Sequence, residues 1–313
     1  MSTMGRSVGS RSRLGVVCLC TLGLVGCEDR QSAPPAPAIQ VDLVAEGVAF
    51  RTEGDLDTAI QRFTEAIRNR QNLTDAYLKR GETLRGKGDL VAAIADFTQV
   101  TRREPNNAQA HFELGHTRAL AQKFDAAQES LSRAIKLKPD LVDAYISRAD
   151  LWQKRGDLSS AIADLDVALQ LNPYSGKAYV NRGIYYSELG ERELARQSWQ
   201  QAVKLAPHFP GGYFSLAVDH GSRGEFDAAI PLLSKVLELH PEHFQALQNR
   251  GLAYAALGRH TEAVEDFSRV LERFPELAIA YKHRSRSLRA LGDTQRAVED
   301  LKKAQALDPR IAE

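Results

Sequence analysis

Cysteine, histidine and arginine are the side chains of this chain best placed to act on another molecule, and their spacing decides which chemistry is open to them. Of three cysteines, Cys18 and Cys20 lie inside an apolar run, whereas Cys27 follows it and directly precedes Glu28-Asp29-Arg30. One thiol outside such a run supports no disulfide framework, and its own chemistry is acylation or oxidation. Eight histidines are scattered, and the one close pair, His240 and His243, flanks Pro241. Two imidazoles without a third ligand are a poor metal site, and a solvated loop is the simpler account. Five arginines, Arg80, Arg148, Arg182, Arg250 and Arg284, recur at multiples of 34 residues and could form a basic ladder. They could equally lay their stems over apolar surface and pair with acids such as Asp96, Asp164 or Asp266, which is the reading we favour. Phosphate-cradling Gly-rich loops, Gly-x-Ser-x-Gly elbows and Cys-x-x-Cys pairs are missing from the sequence. The expectation is therefore a protein that is not an enzyme and takes no cofactor or metal. Lysine plus arginine number 41 against 40 acids, so no net field draws in nucleic acid, and no nucleic-acid partner is expected.

The elements that carry Cys27 read as an address. Residues 1–26 hold Arg6, Arg11 and Arg13 but no acid, then the apolar run Leu14 to Val25 and Gly26. At about 1.5 Å per residue that run spans about 20 Å, short of a hydrocarbon core of about 30 Å, so a cleaved signal peptide is expected rather than a permanent span. The tetrapeptide Leu24-Val25-Gly26-Cys27 resembles the lipobox of bacterial lipoproteins. That resemblance implies cleavage before Cys27, lipidation of Cys27, and a membrane held through that anchor. Residues 27–39 then include Pro34, Pro35 and Pro37, a density that favours an extended polyproline tether.

The rest of the chain repeats itself every 34 residues, with units at 40–73, 74–107, 108–141, 142–175, 176–209, 210–243, 244–277 and 278–311. The eighth position of each is small: Gly47, Gly81, Gly115, Ala149, Gly183, Ala217, Gly251 and Ser285. The twentieth is alanine throughout, from Ala59 to Ala297. Small residues are required where two helices approach closely. A mid-unit glycine, as in Gly54-Asp55 or Gly156-Asp157, ends one helix, and only the third unit departs, with Gln122-Lys123. A proline such as Pro105, Pro139 or Pro173 ends the second helix, and the first unit has Gln71 there. Between these stops apolar residues recur at three and four spacing, as in Ile162, Leu165 and Leu169.

These units resemble the tetratricopeptide repeat, unit four most fully with Tyr145, Ala149, Trp152, Gly156, Ala161, Leu165, Ala168 and Pro173. The resemblance implies an all-α, right-handed superhelical solenoid of eight helix-turn-helix repeats whose first helices line a concave groove. Asp42 and Glu46 at one end, with Lys302 and Gln305 at the other, read as polar caps, so a complete array is expected, without the extra capping helix the family often adds. If the second, fifth, sixth, ninth, twelfth and thirteenth positions face the groove, as the family implies, its ends are charged: Asp75, Lys79, Glu82 and Arg85, then Lys282, Arg286 and Arg289. Its middle offers Val180, Asn181, Ile184, Phe214, Ser215, Val218, Asn249 and Leu252, the candidate peptide-binding residues. The family's clamp for a terminal carboxylate is not matched, because Lys282 is the only lysine at a fifth position and no ninth position is asparagine. The expected function is a membrane-anchored scaffold that binds a protein or peptide in this groove. It would serve envelope complex assembly in the bacterial cell envelope, facing the periplasm and on the outer in preference to the inner membrane. The rival is a periplasmic binding module for cell-wall glycan or peptide fragments. Oligomeric state is left open by the sequence.

Overall fold

A computed structural model describes residues 42–311; the expected signal peptide, Cys27 and the expected tether lie outside the described residues. Among the described residues sixteen helices and no strands are found. They follow in pairs: α1 Leu43–Glu53 with α2 Leu56–Arg68, α3 Leu73–Gly86 with α4 Leu90–Arg103, α5 Ala108–Leu120 with α6 Phe124–Leu137, and α7 Val142–Lys154 with α8 Leu158–Leu171. The series continues with α9 Gly176–Glu188 and α10 Arg192–Leu205, α11 Pro210–Ser222 and α12 Phe226–Leu239, α13 Phe244–Ala256 and α14 His260–Arg273, and α15 Ala278–Ala290 and α16 Thr294–Leu307. Each second helix begins 34 residues after the one before it.

The helix boundaries are written locally. Seven glycines, from Gly54 to Gly292, take positive φ between the helices of a pair, and in the third pair Gln122 is forced there, at φ 58°. Asp55, Asp89, Asp157 and Asp293 follow such glycines and accept the N–H of Thr58, Ala92, Ser160 and Arg296, which caps the second helix. Asp42 caps α1 in the same way. Where the first unit has Gln71 in place of proline, the loop differs: Arg70 and Asn72 both sit at positive φ and α3 starts at Leu73.

The core is a seam between the paired helices. The twentieth-position alanines are at most 1% exposed. A Cβ on Gly81 or Gly251 would stand 2.9 Å from the ring of Phe97 or Phe267. That is too close for a methyl, so these glycines exist to admit an aromatic side chain from the partner helix. Where the facing position holds Leu165, Leu233 or Leu301, the chain tolerates Ala149, Ala217 or Ser285.

Polar crosspieces tie successive repeats. Arg80, Arg148, Arg250 and Arg284 each grip the aspartate sixteen residues ahead, Asp96, Asp164, Asp266 and Asp300, through two nitrogens at 2.7–2.8 Å. Each also donates to a hydroxyl sixteen residues behind: Thr64, Ser132, Ser234 or Ser268. The aspartates are nearly buried, and the hydrogen bond each guanidinium donates to its carboxylate, ahead of the opposing cost of burial, raises the affinity of the guanidinium for its proton. Arg182 is inverted, with its carboxylate, Asp166, behind it and Ser198 ahead.

Candidate partner-binding groove

First helices of successive repeats touch each other, as α1 does α3, α5 does α7, α9 does α11, α11 does α13 and α13 does α15, and no two second helices approach to the same extent. The layer whose members crowd lies on the inside of a curve. The concave side is thus lined by first helices, and their ninth positions, including Ile184, Val218 and Leu252, share one register on it.

Polar links close the groove floor over the first five repeats. Arg51 donates to Glu82 at 2.6 Å, and Lys79 lies 3.3 Å from the same carboxylate. Arg85 and Gln109 reach the buried Glu113 at 2.5 and 2.7 Å. Asp150 accepts from Asn181 at 2.9 Å and from the Tyr185 hydroxyl at 2.7 Å. Burial, and secondarily the Asp150 charge, pushes the Tyr185 phenol far above its ordinary range, so it stays a donor.

The floor changes character at α11 and α13. Val218, Asn249 and Leu252 meet around a mainly apolar cavity of about 300 Å³, backed by Ala217, Phe226 and Leu233. Room for it comes from Gly221 at the twelfth position of its unit, where Arg51, Arg85, Gln153 and Arg289 stand in other units, and from Ser222 and Ala253. A cavity this size and polarity suits an apolar side chain or small apolar group.

The structure distributes the sequence-predicted residues unevenly. Val218, Asn249 and Leu252 come together. Ile184 and Val218 are 39% and 44% exposed. Val180 packs into the seam between repeats, and its carbonyl accepts the Trp199 indole N–H at 3.3 Å. Asn181 spends an amide N–H on Asp150. Phe214 packs on the core cluster that includes Leu233 and against the His243 ring, centroids 5.0 Å apart, and Ser215 is half-buried. His243 itself caps α13, accepting the Ala246 N–H, and burial holds its imidazole below the ordinary value. Sequence reasoning missed Gly221, Ser222 and Ala253, and a short twelfth residue alone gave no signal, since Ala119, Ser187 and Ala255 stand at that position in other units. Of the arginine ladder, Arg80, Arg148, Arg250 and Arg284 are taken up by the crosspieces and Arg182 by Asp166, which leaves no free basic row.

Among the described residues no group of three or more His, Cys, Asp or Glu side chains is placed to hold a metal ion, and no helix is long and apolar enough to cross a membrane.

Models of the tetratricopeptide repeat match residues 44–107, 214–278 and 261–312, and further models of the same repeat match 84–150 and 176–209. Among solved structures, the APC/C hetero-tetramer Cut9-Hcn1 is 18% identical with TM-score 0.59, over 86% of this chain and 53% of that one. YrrB, described as a TPR protein with an unusual peptide-binding site, is 24% identical with TM-score 0.51, over 58% of this chain and 94% of its own. A tetratricopeptide repeat protein from Parabacteroides merdae is 23% identical with TM-score 0.52, over 75% and 93%. These likenesses show the fold. No curated protein matches the chain.

Proposed function

The chain belongs to the tetratricopeptide repeat family, and on that premise we propose that it is a scaffold whose concave groove binds a protein or peptide partner, anchored to a membrane through lipid on Cys27. The observation that carries the groove reading is the apolar cavity at Val218, Asn249 and Leu252, on the side where first helices crowd. An open cavity lined by apolar side chains costs free energy in water until something covers it, and an asparagine at its rim can donate to and accept from a peptide backbone. Val218→Asp with Leu252→Asp should cut partner recovery from cell extract by tenfold or more, on the order of 1.4 kcal/mol, while helicity is retained. Recovery equal to wild type by quantitative mass spectrometry would remove the groove from the account.

The anchor reading is supported by the Leu24-Val25-Gly26-Cys27 tetrapeptide at the end of the apolar run. It would give the protein its place in the bacterial envelope, facing the periplasm and on the outer in preference to the inner membrane, with the proline-rich segment 27–39 as a spacer. Cys27→Ser should leave an uncleaved, unlipidated precursor. A wild-type protein that starts elsewhere than Cys27, or carries no acyl chain by intact mass, would overturn this part.

A further inference from the structure

We infer that the groove over α11, α13 and α15 takes an extended acidic peptide. An apolar side chain of the peptide fills the cavity beside Val218 and Leu252, and its glutamate or aspartate side chains, a few residues on, meet Lys282, Arg286 and Arg289. The inference rests on the groove reading above and narrows its ligand.

Three features carry it. The helices α13 and α15 contain no acidic residue, and the one acid of α11, Asp219, is taken up by Arg196 and Arg223, whereas α1, α3, α5, α7 and α9 each contain at least one. On α15, Lys282, Arg286 and Arg289 are spaced four and three residues apart, within an arc of about 60° at 100° per residue. Ala280, Ser287 and Leu288 of the same helix are buried, while Arg286 and Arg289 are exposed. Finally, among the described residues no carboxylate forms an ion pair with these three cations, although Arg284 between them is fully engaged by Asp300. At the same register as Arg289, Arg51 and Arg85 are each met by a carboxylate, Glu82 and Glu113. The local field is felt inside the helix: burial first, then the charges of Arg286 and Lys282, hold the His283 imidazole below its ordinary value.

Arg286 occupies on α15 the ninth position that Leu252 occupies on α13, and those two helices touch. Packed helix axes lie about 8–10 Å apart and an extended chain advances about 3.3 Å per residue, so about three residues separate the cavity side chain from the first carboxylate.

The test uses the full chain and a fluorescent, C-terminally amidated peptide, Gly-Phe-Ser-Gly-Ser-Glu-Glu-Glu-Gly, read by anisotropy at low salt. Its affinity should exceed that of the peptide with glutamine for glutamate by about tenfold, and that of the peptide with serine for phenylalanine by a similar factor. Arg286→Glu with Arg289→Glu should abolish the glutamate preference. The same charge change at the exposed Lys302 and Lys303 of α16 should preserve it, which controls for net charge. Equal binding of glutamate and glutamine peptides, a preference that survives the Arg286/Arg289 change or is lost equally with Lys302/Lys303, or indifference to phenylalanine overturns the inference. A neutral peptide that binds with sensitivity to Val218→Asp and gains nothing from carboxylates overturns it too, yet leaves the groove reading standing. Failure of every peptide to bind also overturns it, while the groove reading is decided separately by partner recovery.

Discussion

At the scale of single residues, the arginine–aspartate crosspieces show how a charge pattern in the sequence became architecture. A basic ladder and a set of buried ion pairs make the same sequence signature, and what separates them is where the aspartates sit: Asp96, Asp164, Asp266 and Asp300 are all nearly buried beside their arginines. Removing one partner of a buried pair leaves the other charge uncompensated. Asp266→Ala should therefore lower the opening free energy of α13 and α14 by about 2 kcal/mol in native-state hydrogen exchange, with the 17% exposure of the Arg250 side chain keeping the loss below that of a wholly buried pair. The exposed neighbour Glu265, changed to alanine, should have almost no effect. Similar losses for the two would mean that the crosspiece contributes nothing. The bond from Asn181 to Asp150 was not legible in the sequence, because it joins residues 31 apart whose meeting depends on how two first helices abut.

At the scale of the helix pair, much more was legible. The stops at glycine and proline and the twentieth-position alanine mark helices and their closest approach without any three-dimensional information. Less obvious was that the eighth position is matched to its opposite: Gly47, Gly81, Gly183 and Gly251 face Phe63, Phe97, Trp199 and Phe267. Gly81→Ala should cost about 1 to 3 kcal/mol, because the new Cβ would stand 2.9 Å from the ring of Phe97, itself fully buried. In a Phe97→Leu background the same change should be neutral or gain up to about 1 kcal/mol, since alanine is the better helix former. A thermal-unfolding double-mutant cycle reads the coupling directly, and an equal cost in both backgrounds would show that the pair is not matched. Gly115, which faces Leu131, is the exception: a Cβ there would also stand 3.1 Å from the Ala127 carbonyl, so backbone as well as side chain enforces it.

For the whole molecule, periodicity announced a solenoid, and curvature toward the first helices makes one side of it a groove. Which stretch of that groove is open was only half legible. The apolar ninth positions Ile184, Val218 and Leu252 pointed to the middle and later repeats, but the cavity exists because Gly221 omits a long side chain, and an omission is visible only against the neighbours it fails to fill. The central claim is that partners are held on the first-helix side between α9 and α15. Photo-crosslinking tests it most directly: a benzophenone side chain placed at Ile184, Val218, Leu252 or Arg286, and for comparison at Gln201 or Arg269 on the second helices, is irradiated in intact cells. The account predicts one shared crosslinked partner from Val218, Leu252 and Arg286, a weaker product from Ile184, and none from the second helices. The same partner captured from Gln201 or Arg269, with the groove positions silent, would contradict it.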